Sequence, residues 1–238
     1  MQTISTPIEV TGTDVVGLQL QADSGGDVSG RFHGDGEEKV DLNSLYVVLL
    51  RVPEPGQEND IMPIGESGVT QLSGNGLFEI KDAPPGNYQL AVGAHSDKFR
   101  DYYTKSVLLS GREVTDTGFP LSSSTVLDVV VSAKGAGIEG SVVDENGKSV
   151  AGATVVTVPS SGKLGRPDAY QSGVSDENGH VLLRGLNPGG FLVLAFEEMQ
   201  ENVRSPEFAR KYEGKGEKLE LEEGARKSVV LKLIRDLD

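Results

Sequence analysis

The sequence predicts an all-β chain, two antiparallel β-sandwiches in tandem with one short helix near the C-terminus. Three observations carry this. First, 31 glycines and 11 prolines stand among 238 residues, about 18% turn-formers against roughly 12% in average usage. With 28 valines and no tryptophan or cysteine, that composition suits short strands joined by tight turns. Second, Gly76–Leu90 recurs without gaps as Gly179–Val193. Each copy reads as a strand, a Pro-Gly turn and a second strand with an aromatic just after the turn. Third, Asn75-Gly76, Asn146-Gly147 and Asn178-Gly179 are tight-turn signals between alternating segments.

Taken in order, Ile8–Leu20 reads as a hairpin within residues 1–24, either added to the first sandwich or the last piece of an upstream repeat. A first sandwich is expected over 25–133. It opens at Asp27–Phe32, continues through Tyr46–Pro53, and alternates cleanly where Phe78 and Ile80 face one way and Leu77, Glu79 and Lys81 the other. Ser132-Ala133-Lys134-Gly135 reads as a short linker. A second sandwich is expected over 134–238, with Gly137–Val142 matching Asp27–Phe32 and Ala153–Pro159 matching the Tyr46 segment. Two closing hairpins of the same layout are expected, Val107–Leu109 with Val126–Val131 and Leu219–Leu221 with Val229–Leu233. Between them, Ser205 as N-cap, Pro206 at the first position and Glu207 in the first turn predict a short helix. Gly214 would stop it, and Phe208 or Tyr212 would pack on a sheet.

Gly140–Ala153 (GSVVDENGKSVAGA) and Gly179–Leu194 (GHVLLRGLNPGGFLVL) resemble a carboxypeptidase regulatory-like domain. That family is a transthyretin-like, immunoglobulin-like β-sandwich related in shape to Cna-B repeats. The resemblance covers the second copy, with the first a divergent example. It implies a non-catalytic structural, spacer or interaction module of an exported bacterial multidomain protein. A periplasmic, cell-surface or extracellular location follows from the resemblance alone, since no signal peptide is seen. Cna-B repeats also suggest a self-formed isopeptide bond. However, the lysine position is held by Val142 and Phe32, and the relay-carboxyl position by Ala195 and Val92, all apolar.

Composition excludes other classes. A net charge of −14 argues against a nucleic-acid partner, and no apolar run is long enough to span a membrane. Residues 1–132 carry 8 basic and 19 acidic side chains, and residues 133–238 carry 14 and 17, so most of the negative charge lies in the first half. His33, His95 and His180 read as surface residues, and no catalytic residue, metal ligand or cofactor site is predicted. Asp35, Glu37, Glu38 and Asp41 cluster after the first strand, and the Asp144/Glu145 and Asp176/Glu177 pairs sit in turns; calcium is the ion such carboxylates would suit, but none has EF-hand spacing, and turn chemistry already explains the Asp-Asn-Gly residues. The alternative to a spacer is a carbohydrate- or peptide-binding module. Its candidate contacts are Phe99, Arg100, Tyr102 and Tyr103, with Arg166 and Tyr170 in a loop long for a sandwich. The partners expected are a protein or carbohydrate surface and neighbouring domains of a longer chain.

Overall fold

A two-residue alternation builds the first strand, β1 (Gly26–Gly34), which buries Val28, Gly30 and Phe32 while Arg31 and His33 face out. In the computed structural model, residues 25–36, 40–52, 68–73, 75–95, 100–160, 163, 166–198 and 203–235 are described. The hairpin expected within 1–24 lies outside them.

The first half continues with β2 (Leu45–Arg51), β3 (Val69–Gln71), β4 (Leu77–Ala83), β5 (Gly86–Ala94), β6 (Tyr103–Leu109), β7 (Arg112–Glu113), β8 (Phe119–Leu121) and β9 (Thr125–Ser132). Two sheets form, ordered β4-β1-β9-β6-β7 and β3-β2-β5-β8. Phe32, Phe78 and Leu127 from one sheet and Leu49, Tyr88 and Phe119 from the other fill the core between them. The second half holds β10 (Ala136–Val143), β11 (Thr154–Pro159), β12 (Ser172–Val174), β13 (His180–Leu186), β14 (Gly189–Phe196), the helix α1 (Pro206–Tyr212), β15 (Glu217–Leu221) and β16 (Arg226–Ile234). Its strands run β12-β11-β14-β16-β10-β13, with β15 pairing β14 ahead of β16 on the edge opposite β11. Ile138, Val155, Leu183, Val193 and Leu231 form its core. The protein is thus an all-β sandwich fold with one short helix.

The sequence repeat reappears as a repeat of register. Val28 faces Ile80 and Gly30 faces Phe78 across β1 and β4, and Ile138 faces Leu183 and Gly140 faces Val181 across β10 and β13. Each pairing has a register shift at its start, next to Gly26 and Ala136 respectively. Turns repeat too. Gly76 O accepts from Phe32 N, and Gly179 O from Val142 N, both at 2.8 Å. These glycines have φ of +81° and +79°, and a Cβ would lie 2.2 Å from Phe32 O and 2.8 Å from Val142 O. Only glycine meets both demands.

Two expectations need correction. Pairing is antiparallel except where β1 meets β9, and where β16 meets β10 and β14, all parallel. The chain reaches its own first strand again only after crossing to the other sheet, so the two strands arrive pointing the same way. The expected closing hairpin at Leu219–Leu233 is also not a hairpin. β15 pairs with β14, whereas β16 pairs with β10 and the end of β14. The counterpart of β15 is therefore β8, not Val107–Leu109: Gly86 faces Leu121 as Gly189 faces Leu221.

What separates the halves is the insert between these matched strands. In the first half the β6–β7 hairpin stands there, and in the second α1. The Ser205 hydroxyl caps α1 by accepting from Phe208 N at 3.1 Å. The helix ends at Tyr212, just before the expected Gly214 stop, with Lys215 N donating to Tyr212 O at 2.9 Å. Phe208 and Tyr212 both pack on Phe196, with ring centroids 5.8 and 5.0 Å away. This covers the outer face of the sheet, which is why every residue of β11 is buried and the strand reads as a continuous apolar run.

Phe196→Ala should lower the unfolding free energy by about 3–5 kcal/mol, and Ser205→Ala by about 1 kcal/mol, both read from urea-denaturation midpoints. An unchanged midpoint for Phe196→Ala would mean that α1 does not cover the sheet.

Candidate functional site

The segment Arg100–Lys105 leads into β6 and lies where the halves meet. Tyr103 and Thr104 are both buried, which plain alternation does not allow. A register shift between Thr104 and Ser106 leaves Lys105 without a partner on β9. Such a bulge re-aims the side chains around it, and here it sends Lys105 outward beside Tyr103.

Three polar contacts cross the junction from this segment. At the first, the Asp101 carboxylate accepts from Arg184 through both oxygens, with Nε at 3.0 Å, and from Arg226 Nη2 at 2.7 Å. The two arginines flank Gly137 in one row of β13, β10 and β16. The backbone closes in at the same place. Asp101 O accepts from Gly135 N at 2.7 Å, and Gly185, at φ +71°, comes so near Arg100 O that a Cβ would be 2.2 Å from it.

At the second contact, Glu223, in the turn between β15 and β16, accepts from Tyr103 Oη at 3.0 Å, Ser132 Oγ at 2.8 Å and Lys105 Nζ at 3.3 Å. Lys105 also pairs with Asp35. The third is Arg166, only 4% exposed. It donates to Thr104 O at 2.8 Å and Asp116 at 3.0 Å in the first half, and is braced by Asp168 at 2.7 and 2.8 Å.

These contacts shift the groups involved. The Arg184 hydrogen bond, with Arg226 beside it, holds the Asp101 carboxyl below the ordinary range. Hydrogen bonds from Ser132, Tyr103 and Lys105 do the same for Glu223 against the opposing effect of burial. Burial and then the bond to Glu223 push the Tyr103 hydroxyl up. Burial disfavours the Arg166 charge, yet Asp168 and Asp116 more than offset it and its pKa stands above the usual guanidinium value.

Beside the junction lies a cleft of about 500 Å³. Val92, Gly93, Ala94, Arg100 and Tyr102 line it from the first half, and Gln171, Ser172, Leu182, Leu183 and Arg184 from the second. Of the residues singled out from sequence, Arg100 and Tyr102 are brought together here. Tyr103 and Arg166 are instead buried in the junction, so their faces are not open to a ligand. Tyr170 packs into the layer under α1, with Arg204 5.7 Å above its ring, and burial takes its hydroxyl pKa up to about 12. Phe99 lies outside the described residues.

Asp101, Arg184, Arg226 and Glu223 were not singled out from sequence. The pairing of Arg184 and Arg226 across Gly137 becomes visible only once the strand register is known. The turn carboxylates are used locally: Asp144 Oδ1 accepts from Asn146 N and Lys148 N, and Asp176 Oδ1 from Asn178 N and His180 N, at 2.8–2.9 Å. Glu37 and Glu38 lie outside the described residues. Among the described residues no group of three or more His, Asp or Glu side chains is placed to hold a metal ion, and no helix is long and apolar enough to cross a membrane. His33 meets Asp128, His95 meets Gln71, and His180 meets Ser141, at three separate places in the fold.

No family model matches the chain, and no curated protein matches it in sequence. Among solved structures, the Bacillus anthracis TIE protein is 16% identical with a TM-score of 0.28, over 89% of this chain and 34% of that one. A streptococcal ancillary pilin is 14% identical with a TM-score of 0.31, over 90% and 63%. The minor pilin GBS52 of Streptococcus agalactiae is 14% identical with a TM-score of 0.32, over 87% and 94%. This chain therefore spans less than two thirds of the first two. All three TM-scores are below 0.5, and the likeness carries no functional conclusion.

Arg166→Ala strands a buried carbonyl and two carboxylates and should cost about 3–5 kcal/mol in chemical denaturation. Asp101 and Glu223 have depressed pKa values when the junction is formed, so their contribution is complete above the ordinary carboxylate range of about 4 and is lost as pH falls below it. Small-angle scattering at neutral pH and at about pH 3 should show the halves separating at acid pH before either loses its far-UV signal.

Proposed function

We propose that this chain is a non-catalytic structural module of an exported multidomain protein. Residues 25–133 and 134–238 are two tandem β-sandwich domains held in a set orientation, so that neighbouring domains on either side are kept at fixed spacing. The three-point polar junction supports this most directly. Asp101, Glu223 and Arg166 join the halves at three separate points. The linker is drawn into the same contact: Gly224 N donates to Lys134 O at 2.6 Å, and Arg226 Nη1 to Gly135 O at 2.8 Å. A linker meant to swing freely would not be tied down at consecutive residues.

Export, the bacterial setting and the carboxypeptidase regulatory-like assignment rest on the sequence resemblance. The repeated register of β1/β4 and β10/β13 supports reading the halves as copies of one sandwich. A second reading, that the module also presents a ligand surface, is favoured by the cleft holding Arg100 and Tyr102.

Asp101→Ala combined with Glu223→Ala should raise the radius of gyration and blur the scattering profile, while each half keeps its own strand content by circular dichroism. A wild-type profile as broad as the double variant's would sink the fixed-spacing reading.

A further inference from the structure

β6 fills a place in the first half that no described strand fills in the second. It lies along β9 from Tyr103 to Leu109. Leu127 on β9 stands beside Gly30, and Val229 on β16 beside Gly140, so β16 is the counterpart of β9. In the second half α1 packs instead on the outer face of the other sheet. Along Arg226–Lys232 the side of β16 away from β10 therefore has no strand among the described residues. β14 closes that side only at Leu233 and Ile234. Apolar side chains record the gap. Val229 and, on β15, Leu219 are half-buried, whereas their counterparts Leu127 and Phe119 are 1% and 2% exposed. Val230 is 60% exposed on the outward face of β16.

The charges on this edge select what can join it. Lys227 and Lys232 are exposed, and neither has a hydrogen-bond or ion-pair partner among the described residues. An odd spacing along a strand places them on opposite faces. Lysines on an open edge repel most strands, a second β16 included, but they admit one with carboxylates at the same spacing. Ile8-Glu9-Val10-Thr11-Gly12-Thr13-Asp14, outside the described residues, has that spacing and no basic side chain. Set antiparallel to β16, it brings Glu9 to Lys232 and Asp14 to Lys227. The same register puts Val10 against Leu231 and Thr11 against the exposed Val230, with Gly12 beside Val229. A parallel setting matches the same charges, yet it turns Thr11 and Thr13 to the core and Val10 outward against Ser228. Apolar matching thus favours the antiparallel register.

We propose that Ile8–Asp14 of a second copy of this chain adds to β16 as an antiparallel strand, joining copies head to tail. Main-chain hydrogen bonds along Lys227–Lys232 supply affinity, and the two Lys–carboxylate pairs fix direction and register. In this register the segment is extended, in place of the hairpin expected over Ile8–Leu20. Its own chain is the poorer donor. The end of β1 lies at the junction, where Asp35 meets Lys105, so Gly25 stands at the opposite pole. β1 alone spans about 27 Å, and the junction must then be crossed to reach Lys227. The stretch from Asp14 to Gly25 reaches about 38 Å only when fully taut. A second copy meets no such limit. Donor segment and acceptor edge are different surfaces, so the contact can repeat from copy to copy.

Sedimentation velocity of the full chain should show association that grows with concentration. Glu9→Lys with Asp14→Lys should leave the chain monomeric, and so should Lys227→Glu with Lys232→Glu. Both double variants should keep the wild-type far-UV spectrum, which separates loss of association from loss of fold. Mixed together they should associate again, because the N-terminal segment of each then carries the charge opposite to the other's β16. Val10→Asp, facing Leu231, should weaken association at least roughly tenfold, whereas Thr13→Glu, facing outward beside Ser228, should not. A wild-type chain that stays monomeric at every concentration overturns the proposal. So does association that survives either double variant, or a mixture of the two that stays monomeric while the wild type associates. None of these outcomes bears on the spacer reading, which the scattering profile of the monomer tests separately.

Discussion

One carboxylate shared by two arginines holds the junction in its orientation. Asp101 is reached by Arg184 and Arg226 from either side of a glycine, and its geometry is the paired fork that a guanidinium makes with a carboxylate. A lysine at either place would bring charge without the planar match. The pairing also explains the neighbouring glycines. Gly137 leaves room for Arg226, whose Cδ would sit 2.8 Å from an added Cβ, and Gly185 lets the Arg100 carbonyl approach. Glu223 and Arg166 then restrain the remaining freedom from two further directions. Partly exposed ion pairs are individually weak, so the junction depends on three of them being placed at separate points, with Arg166 buried.

The halves share a strand plan and differ in what they do with one insert. Between β14 and β15 the chain makes α1, which covers a sheet with Phe208 and Tyr212. Between β5 and β8 it makes β6 and β7, and the bulge at Lys105 turns that hairpin into the docking segment. One position in the repeated plan thus serves packing in one copy and assembly in the other.

Much of the fold was legible because turn chemistry and alternation are local. Asn-Gly pairs, the Pro206 start of α1 and the Phe78/Ile80 alternation each depend on neighbours a few residues away. The parallel pairing of first and last strands was not legible, because Val28 meets Thr125 across nearly a hundred residues and no local pattern records direction. For the same reason the hairpin expected at Leu219–Leu233 came apart into strands of different neighbours. At the junction, sequence reasoning read Arg100, Tyr102 and Tyr103 as a ligand-contact surface and took no account of the carboxylate among them. The residue that matters most there, Asp101, lay between them, and its partners are more than eighty residues away.

The parallel placement of β1 beside β9 has a mechanical consequence. Strands that run the same way side by side begin at one pole of the sandwich and finish at the other, so the polypeptide passes in at one end and out at the opposite end. A tension applied along the chain then pulls the two strands lengthwise past each other. Their ladder of hydrogen bonds is loaded together, in shear, whereas an antiparallel terminal pair would peel open one bond at a time. β10 beside β16 repeats the arrangement in the second half, so tension between the first and last strands there would load that ladder in shear as well.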